Sequence, residues 1–215
     1  MAHIQLPKTN CSLCPRLVQL RDINKKDYPE FYNRPVKSFG SLTAKLLIVG
    51  LAPGLKGANR TGRPFTGDYA GDLLFSTLLK FGFAKGSYKK HALDGLELIN
   101  CRLTNAVRCV PPGNKPIGQE VNACRKFLIN EIEAMPNLHS VIVLGGLAHN
   151  AFLSAVEAKK SQYPFGHSSE HLIKYNNNSI MLTDSYHCSR YNTNTGRLDA
   201  EMFENVFKIV LKQVS

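Results

Sequence analysis

The sequence has no apolar run long enough to cross a membrane, and its first residues, MAHIQLPKTN, lack the apolar core of a signal peptide. We therefore expect a cytoplasmic protein with no membrane partner. There is also no clear internal repeat and no low-complexity tract to mark a boundary along the 215 residues. With 43% hydrophobic and 20% charged residues, the chain is expected to form a single globular domain over residues 1–215.

Acidic residues are scarce, with 16 Asp and Glu against 27 Lys and Arg, a net charge of +11 and a pI near 9.5. A basic surface can serve solubility alone, but a polyanionic partner is the sharper interpretation, and nucleic acid is the commonest such partner. The basic residues are spread along the chain and several lie in Gly- and Pro-rich loops. This distribution favours a folded basic face over a basic tail.

The glycine-rich segment at residues 50–72, GLAPGLKGANRTGRPFTGDYAGD, matches neither the P-loop pattern nor the dinucleotide pattern G-x-G-x-x-G. It reads as a long loop that directly follows an apolar run, and such loops hold the ligand sites of open α/β sheets. Phe65 as a core residue and Asp68 as a helix cap are the alternatives to a role in a site. The loop offers groups for gripping a phosphate-rich ligand and for chemistry beside it: Arg60, Arg63, Phe65 and Asp68.

Apolar strand patterns alternate with helical patterns along the chain. Short apolar runs predict buried strands at residues 45–49, 96–100, 140–144 and 180–183. Helical spacing of apolar residues predicts helices at 72–81, 119–135, 147–158 and 198–212, whereas residues 1–40 look irregular. This alternation predicts an α/β fold with a mostly parallel sheet covered on both faces.

Two further loops follow predicted strands. Residues 103–116 contain Asn105, whose amide both donates and accepts and so suits a nucleobase edge, with a turn-forming role as the alternative. Residues 187–198 begin with His187, which is either a proton donor to a leaving group or a structural residue. Because right-handed crossovers place post-strand loops at one edge of a sheet, we expect the three loops to form one active-site face. Polar residues suited to phosphate or solvent are Asn114, Lys115, Ser189, Arg190 and Asn192.

Six cysteines in a cytosolic chain are not expected to form disulfides. Cys11 and Cys14 form a C-x2-C pair, and Cys109 and Cys124 follow with fourteen residues between them. Four thiolates are what a zinc ion or an iron–sulfur cluster needs. The pattern predicts a metal centre on these four residues, with buried inert thiols as the alternative, and leaves zinc and iron open.

Long motifs in this order resemble the family 5 (type B) uracil-DNA glycosylases: GLAPG, GANRTGRPFTGD, NAVRC-x-PP-x-NKP and H-x-S-x-x-N-x-x-TGRL. The resemblance covers nearly the whole chain. Ala52 in the first motif favours type B over the related family 4, and Cys188 stands where the family usually has proline. The four cysteines fit the [4Fe–4S] ligand pattern of both families, which implies a cluster that ties residues 1–15 to residues 109–124.

The resemblance implies an α/β/α sandwich around a four-stranded parallel sheet. It also implies a monomeric DNA repair enzyme without a lyase step, which flips a deaminated base out of DNA and hydrolyses its N-glycosidic bond. The expected bases are uracil and also hypoxanthine or mispaired thymine. The alternatives are a non-catalytic nucleic-acid-binding domain held together by a metal, and a metal-dependent nuclease. The nuclease needs clustered carboxylates that the loops do not offer.

By the same resemblance, Phe65 stacks on the flipped base and Asn105 hydrogen-bonds its edge. Asp68 orients water or stabilises positive charge on the sugar, as carboxylates do in glycoside hydrolysis. His187 and backbone N–H groups of residues 50–54 stabilise negative charge on the departing base. The implied base-binding residues are Phe65, Asn105, Gly50, Ala52 and Gly54, and the implied DNA contacts are Arg60, Arg63, Asn114, Lys115, Ser189, Arg190 and Asn192.

Overall fold

The computed structural model describes residues 4–176 and 178–214. Its strands are β1 Phe39–Gly40, β2 Leu46–Gly50, β3 Ala84–Lys85, β4 Glu97–Leu98, β5 Cys101–Asn105, β6 Ser140–Leu144, β7 Glu170–Tyr175 and β8 Asn178–Ser185. Its helices are α1 Pro15–Asp27, α2 Ala58–Thr61, α3 Tyr69–Lys80, α4 Gly118–Glu133, α5 Gly146–Ala155, α6 Arg190–Asn194 and α7 Ala200–Val214. None of these helices is long and apolar enough to span a membrane.

The main sheet has the strand order β1-β5-β2-β6-β8-β7. Its four central strands, β5, β2, β6 and β8, are parallel, and the edge strands β1 and β7 pair antiparallel with their neighbours. The predicted four-stranded parallel core is therefore confirmed, and two antiparallel edges extend it. Strands β3 and β4 form a separate two-stranded ribbon.

Alternate residues of β2 feed two hydrophobic cores, one on each face of the sheet. Leu46 and Ile48 join the core formed with α3 and α7, whereas Leu47 and Val49 join the core formed with α4 and α5. A strand that is apolar on both faces is typical of a parallel sheet covered by helices. The layers are thus helix, sheet, helix, and the carboxyl ends of the parallel strands share one edge.

The predicted strand at residues 96–100 was wrong. The parallel strand is β5, Cys101–Asn105, five residues later, and only Glu97–Leu98 of the predicted segment is a strand, in the small ribbon. All five residues of β5 are buried, although one of them is Arg102. Its guanidinium is neutralised by Glu131 on α4, at 2.6 Å between Nε and Oε1. The strand was not predicted because the buried Arg102 interrupts its apolar run.

Residues 1–40 were predicted to be irregular, but they contain α1. The helix begins with a proline, which is favoured in the first turn because its missing N–H would have no partner there. Only three of its residues are buried: Leu17, Arg21 and Asn24. Because two of these three are polar, the sequence of the helix shows little amphipathic pattern. Leu17 packs with Val107, Cys124 and Phe127 in a third small core, so the helix is held by the segment that carries the cysteines.

Candidate active site

The carboxyl ends of the central strands open into one cleft with a volume of about 490 Å³. Four residues predicted to carry chemistry line this cleft, although they are far apart in the sequence: Phe65, Asp68, Asn105 and His187. Five further predicted contact residues line it as well: Ala52, Gly54, Asn114, Ser189 and Arg190. The three predicted loops therefore meet, as the crossover rule requires.

Phe65 and Asn105 form one wall of the cleft, and Gly50 makes their approach possible. A methyl group on Gly50 would lie 2.5 Å from Phe65 Cζ and 2.5 Å from Asn105 Oδ1. Asn105 is the last residue of β5 and pairs in register with Gly50, the last residue of β2. Phe65 has a φ of +55°, a left-handed conformation that costs energy for an aromatic residue and occurs where function fixes a side chain. The wall therefore combines an aromatic ring with an amide.

Asp68 has two roles in the structure. It is the N-cap of α3, and its Oδ1 accepts a hydrogen bond from the Gly71 backbone N–H at 3.3 Å. Its Oδ2 packs against the loop glycines, since a methyl group on Gly54 would come to 3.0 Å from this oxygen and one on Gly57 would overlap it. Capping the helix was the alternative to a role in the site. The Asp68 carboxylate does both, because it caps α3 and also lines the cleft.

His187 and Asp68 both line the cleft, and the Asp68 charge affects the pKa of the histidine. Burial lowers the pKa of its imidazole, and the Asp68 carboxylate opposes that shift. A lowered pKa means that the ring is neutral at pH 7, with one nitrogen that donates and one that accepts. The loop is held in shape by Asn192, whose Nδ2 donates to the His187 carbonyl oxygen at 2.8 Å.

Cys188 occupies the position after the histidine where proline is usual in the similar family. Its side chain is fully buried, and Sγ donates to the Ala70 carbonyl oxygen at 3.4 Å. Burial, reinforced by the charge of Asp68, raises the pKa of this thiol to about 12, so it stays protonated at neutral pH. The cysteine therefore acts as a small packing residue, and the next residue, Ser189, still caps α6 by accepting from Asn192 N at 3.4 Å.

A fourth loop, which was not predicted to belong to the site, also lines the cleft. It joins β6 to α5 and contributes Gly145, Gly146 and Leu147. Leu147 is 63% exposed at this edge, and Tyr191, beside Arg190 on α6, is 72% exposed. The missed signal was a Gly-Gly pair directly after a correctly predicted strand, since every post-strand loop of a parallel sheet reaches the same edge.

The predicted basic contacts divide into exposed and buried residues. The Arg190 guanidinium lies 5.4 Å from the ring of Tyr69 and faces the cleft. Lys115 is exposed, and so is Arg60, which donates to the Lys56 and Gly67 carbonyl oxygens. Arg63, in contrast, is only 5% exposed and pairs with Asp94. The prediction that Arg63 contacts DNA is therefore corrected, because its guanidinium is already enclosed by protein.

The four cysteines predicted to bind metal surround one small cavity. Cys11, Cys14, Cys109 and Cys124 line it together with Arg21. Burial raises the pKa of Cys14 to about 11 and that of Cys109 to about 12, and the neighbouring sulfurs add to both shifts. Four thiolates around one small cavity would repel one another unless a cationic metal centre lay between them.

The unpaired N–H groups of Arg21 indicate whether the cavity suits an anionic iron–sulfur centre. Its Nη2 donates to the Cys11 carbonyl oxygen at 3.0 Å, but its Nε and Nη1 are buried without a hydrogen-bond partner among the described residues. The Arg21 charge also opposes the rise in the pKa of Cys109. Buried unpaired donors are costly, and an iron–sulfur cluster held by four thiolates would supply the acceptors. The donor set therefore fits the group.

Comparison with known proteins agrees with this geometry. The family model for the "Uracil DNA glycosylase superfamily" matches residues 37–211. The chain is 42% identical to a type-5 uracil-DNA glycosylase of Thermus thermophilus, over 92% of the chain and 91% of that relative. It is 36% identical to a type-5 enzyme of Pyrobaculum aerophilum, over 93% and 87% respectively. A type-4 uracil-DNA glycosylase of Sulfurisphaera tokodaii is 28% identical, over 85% of this chain and 77% of that relative.

Proposed function

Because this chain belongs to the uracil DNA glycosylase superfamily, we propose that it removes uracil and other deaminated bases from DNA by hydrolysing the N-glycosidic bond. The observation that carries the proposal is the meeting of Phe65, Asp68, Asn105 and His187 in one cleft. A base inside a duplex cannot reach such a cleft, so the nucleotide must first be flipped out of the stack. Uracil is the primary substrate, and hypoxanthine and mispaired thymine are further candidates.

The wall formed by Phe65 and Asn105 would recognise the flipped base. The aromatic ring supplies a stacking surface that accepts any base. The amide of Asn105 both donates and accepts, so it can pair with an edge that carries a carbonyl next to an N–H, as uracil and hypoxanthine do. Gly50 leaves room for both side chains, because a side chain at this position would overlap each of them.

Asp68 and His187 would act on opposite parts of the reacting nucleotide. As the glycosidic bond breaks, the sugar becomes positive and the base negative. The Asp68 carboxylate would stabilise the sugar and orient the water that adds to C1′. The proton that this water loses passes to the departing base anion, directly or through solvent, so that the products are the abasic site and the neutral base. A neutral His187 and the backbone N–H groups of residues 50–54 would donate to the departing base.

The cleft rim would hold the duplex and fill the gap left by the flipped nucleotide. Arg190 and Asn114 line the cleft and are exposed, which suits contacts to phosphate. Leu147 lines the cleft and Tyr191 follows the cleft residue Arg190 on α6. Both side chains are large and exposed, so they are candidates to replace the lost stacking. The remaining proposed contacts are Arg60, Lys115, Ser189 and Asn192.

The four cysteines would hold a [4Fe–4S] cluster. Bound through Cys11, Cys14, Cys109 and Cys124, the cluster would link the segment that leads into α1 to the β5–α4 connection and to α4, and so stabilise the fold. Arg21 would donate its two unpaired N–H groups to the anionic centre. We further propose that the chain acts in the cytoplasm as a monomer with one domain spanning residues 1–215.

A cleavage assay tests the function. We expect a uracil-containing duplex to break only after alkali, because a monofunctional glycosylase leaves an intact abasic strand. Direct strand scission would identify a nuclease, and an unbroken strand with measurable binding would identify a binding domain. Substrates with uracil, hypoxanthine and mispaired thymine in one sequence context define the base range.

We expect the purified protein to be brown and to contain about four irons per chain. Cys109→Ser should remove the colour and lower the melting temperature, because it removes one of the four proposed cluster ligands. Cys101→Ser is the control: Cys101 is buried, but it lies in β5 and does not line the cysteine cavity. Zinc in place of iron, or colour that survives in Cys109→Ser, would contradict the assignment.

A further inference from the structure

A second group of metal-binding residues lies outside the cleft and outside the cysteine cavity. It comprises His149 on α5, His171 on β7 and Asp184 on β8, and their ligand atoms all lie within 4.8 Å of one another. His149 and Asp184 are fully buried, while the side chain of His171 is 12% exposed. None of the three lines the cleft, so the proposed glycosylase mechanism leaves this cluster without a role.

A neutral His149 cannot satisfy both of its contacts, so either a second ring proton or a metal ion must lie beside it. Its Nε2 lies 2.9 Å from the Tyr163 carbonyl oxygen, and its Nδ1 lies 2.7 Å from Asp184 Oδ1. A neutral imidazole carries one N–H, so when Nε2 donates to the carbonyl, Nδ1 directs a lone pair at a carboxylate oxygen. If the tautomer is reversed, Nε2 directs its lone pair at the carbonyl. In either form two acceptors face each other, and a positive charge is needed between one of these pairs.

We propose that this charge is a divalent transition metal ion, with zinc as the expected ion, bound by His149 Nδ1, His171 Nε2 and Asp184. Two imidazoles and a carboxylate are a donor set that zinc accepts. His171 Nε2 is directed at the same carboxylate, 3.3 Å from Oδ2. This third ligand atom favours a metal over a simple ion pair of His149 and Asp184, which needs only two groups. Water reaching the partly exposed His171 would complete four-coordination.

The surrounding contacts are those that support metal ligands in proteins. A ligating histidine normally donates its other ring N–H to a carbonyl or carboxylate, which fixes the tautomer. Here the Tyr163 carbonyl oxygen takes that place for His149. The carboxylate is oriented as well, since the Gly166 backbone N–H donates to Asp184 Oδ2 at 3.1 Å. Both ligands are therefore held in place by backbone groups before a metal arrives.

The position of the cluster indicates a structural role. It joins α5 to the paired strands β7 and β8. The first residues of α5 line the cleft, and Asp184 precedes His187 by three residues along the chain. A metal at this point would fix the β6–α5 loop relative to the histidine loop, and its loss should affect stability more than the chemical step.

Zinc content and its coordination shell test the proposal. We expect the protein, incubated with one equivalent of zinc and desalted, to retain about one zinc per chain. Its X-ray absorption should show nitrogen and oxygen at about 2.0 Å, without sulfur at about 2.3 Å. The sulfur distance identifies zinc that has entered the cysteine site. At saturation we expect zinc to raise the melting temperature by about 5 °C.

Asp184→Asn is the informative variant because it preserves the local hydrogen bonds. The amide Nδ2 can donate to His149 Nδ1 while His149 Nε2 still donates to the Tyr163 carbonyl, so folding needs no cation. We expect this variant and His171→Gln to retain less than about one tenth of the zinc, and His139→Ala, at an exposed histidine, to retain all of it. Failure of the wild-type protein to bind zinc through nitrogen and oxygen would overturn the proposal and leave a proton between His149 and Asp184.

Discussion

Asp68→Asn is expected to lower the rate of uracil excision by at least about 100-fold, the scale of losing one group that stabilises transition-state charge. The amide is neutral, so it neither offsets positive charge on the sugar nor orients the attacking water as a carboxylate does. Single-turnover excision from a uracil-containing duplex measures the effect. Binding of the duplex should survive, because the contacts to phosphate come from other residues.

The structure explains why asparagine is a better substitute here than alanine. Asp68 caps α3 through Oδ1, and asparagine is as good an N-cap as aspartate, whereas alanine costs about 1 kcal/mol. Asp68→Asn should therefore unfold at nearly the wild-type temperature, so a loss of rate cannot be attributed to the helix. Asp68→Ala should lose both rate and stability.

Asp199→Ala is the matched control for the cap. Its Oδ1 accepts from the Met202 backbone N–H at 2.7 Å at the start of α7, outside the cleft. We expect this variant to lose about 1 kcal/mol of stability and to retain wild-type excision. Excision by Asp68→Asn within about threefold of wild type would show that the carboxylate is only a helix cap.

The two central strands that lie closest to their predicted positions, β2 and β6, are buried almost entirely through apolar side chains. Residues 45–49 and 140–144 coincide with β2 and β6 to within one residue, because each central strand is covered on both faces by helices. Strand β5 was missed because it buries Arg102 against Glu131. Residues 29 positions apart in sequence form that pair, and no local pattern reveals it.

The residues of the site also differ in how well the sequence predicts them. Loop positions at the sheet edge follow from topology, so Phe65, Asp68, Asn105 and His187 could be brought together from the sequence. The direction of an individual side chain does not follow from topology. Arg60, in the short helix α2, and Arg63, just after it, stand three residues apart, and one is exposed while the other is buried. The cluster of His149, His171 and Asp184 was invisible for a related reason, because its members belong to three elements without a shared motif.

Arg63→Met is expected to destabilise the protein by about 3–5 kcal/mol, the usual cost of breaking a buried ion pair by removing one partner. Arg63 Nη1 and Nη2 donate to the two oxygens of Asp94, each at 2.8 Å, and the Asp94 side chain has no exposed surface. The guanidinium also lies 5.0 Å from the ring of Phe39 and 5.3 Å from that of Phe75. Thermal unfolding should show a decrease of about 10 °C for a chain of this length.

Two further variants separate a structural role from contact with DNA. Arg60→Met changes an exposed arginine in the neighbouring helix α2 and should alter stability by less than about 1 kcal/mol. It should also lower the salt dependence of DNA binding if Arg60 touches phosphate. Adding Asp94→Asn to Arg63→Met should recover part of the lost stability, because the orphaned charge is then absent. Unchanged unfolding of Arg63→Met together with weaker DNA binding would restore the original assignment of Arg63.

The pH dependence of this pair has a definite sign. Burial alone would raise the pKa of Asp94, but the hydrogen bonds from Arg63 and from the backbone N–H groups of Lys89 and Leu96 outweigh it and hold the pKa well below its usual range. A group whose pKa is lowered by folding stabilises the protein above its unfolded pKa and loses that contribution as the pH falls. The difference in melting temperature between wild type and Arg63→Met should therefore be full at pH 7 and shrink below about pH 4. A difference that stays constant down to pH 3 would show that Arg63 stabilises the fold by stacking on the aromatic rings and not by neutralising Asp94.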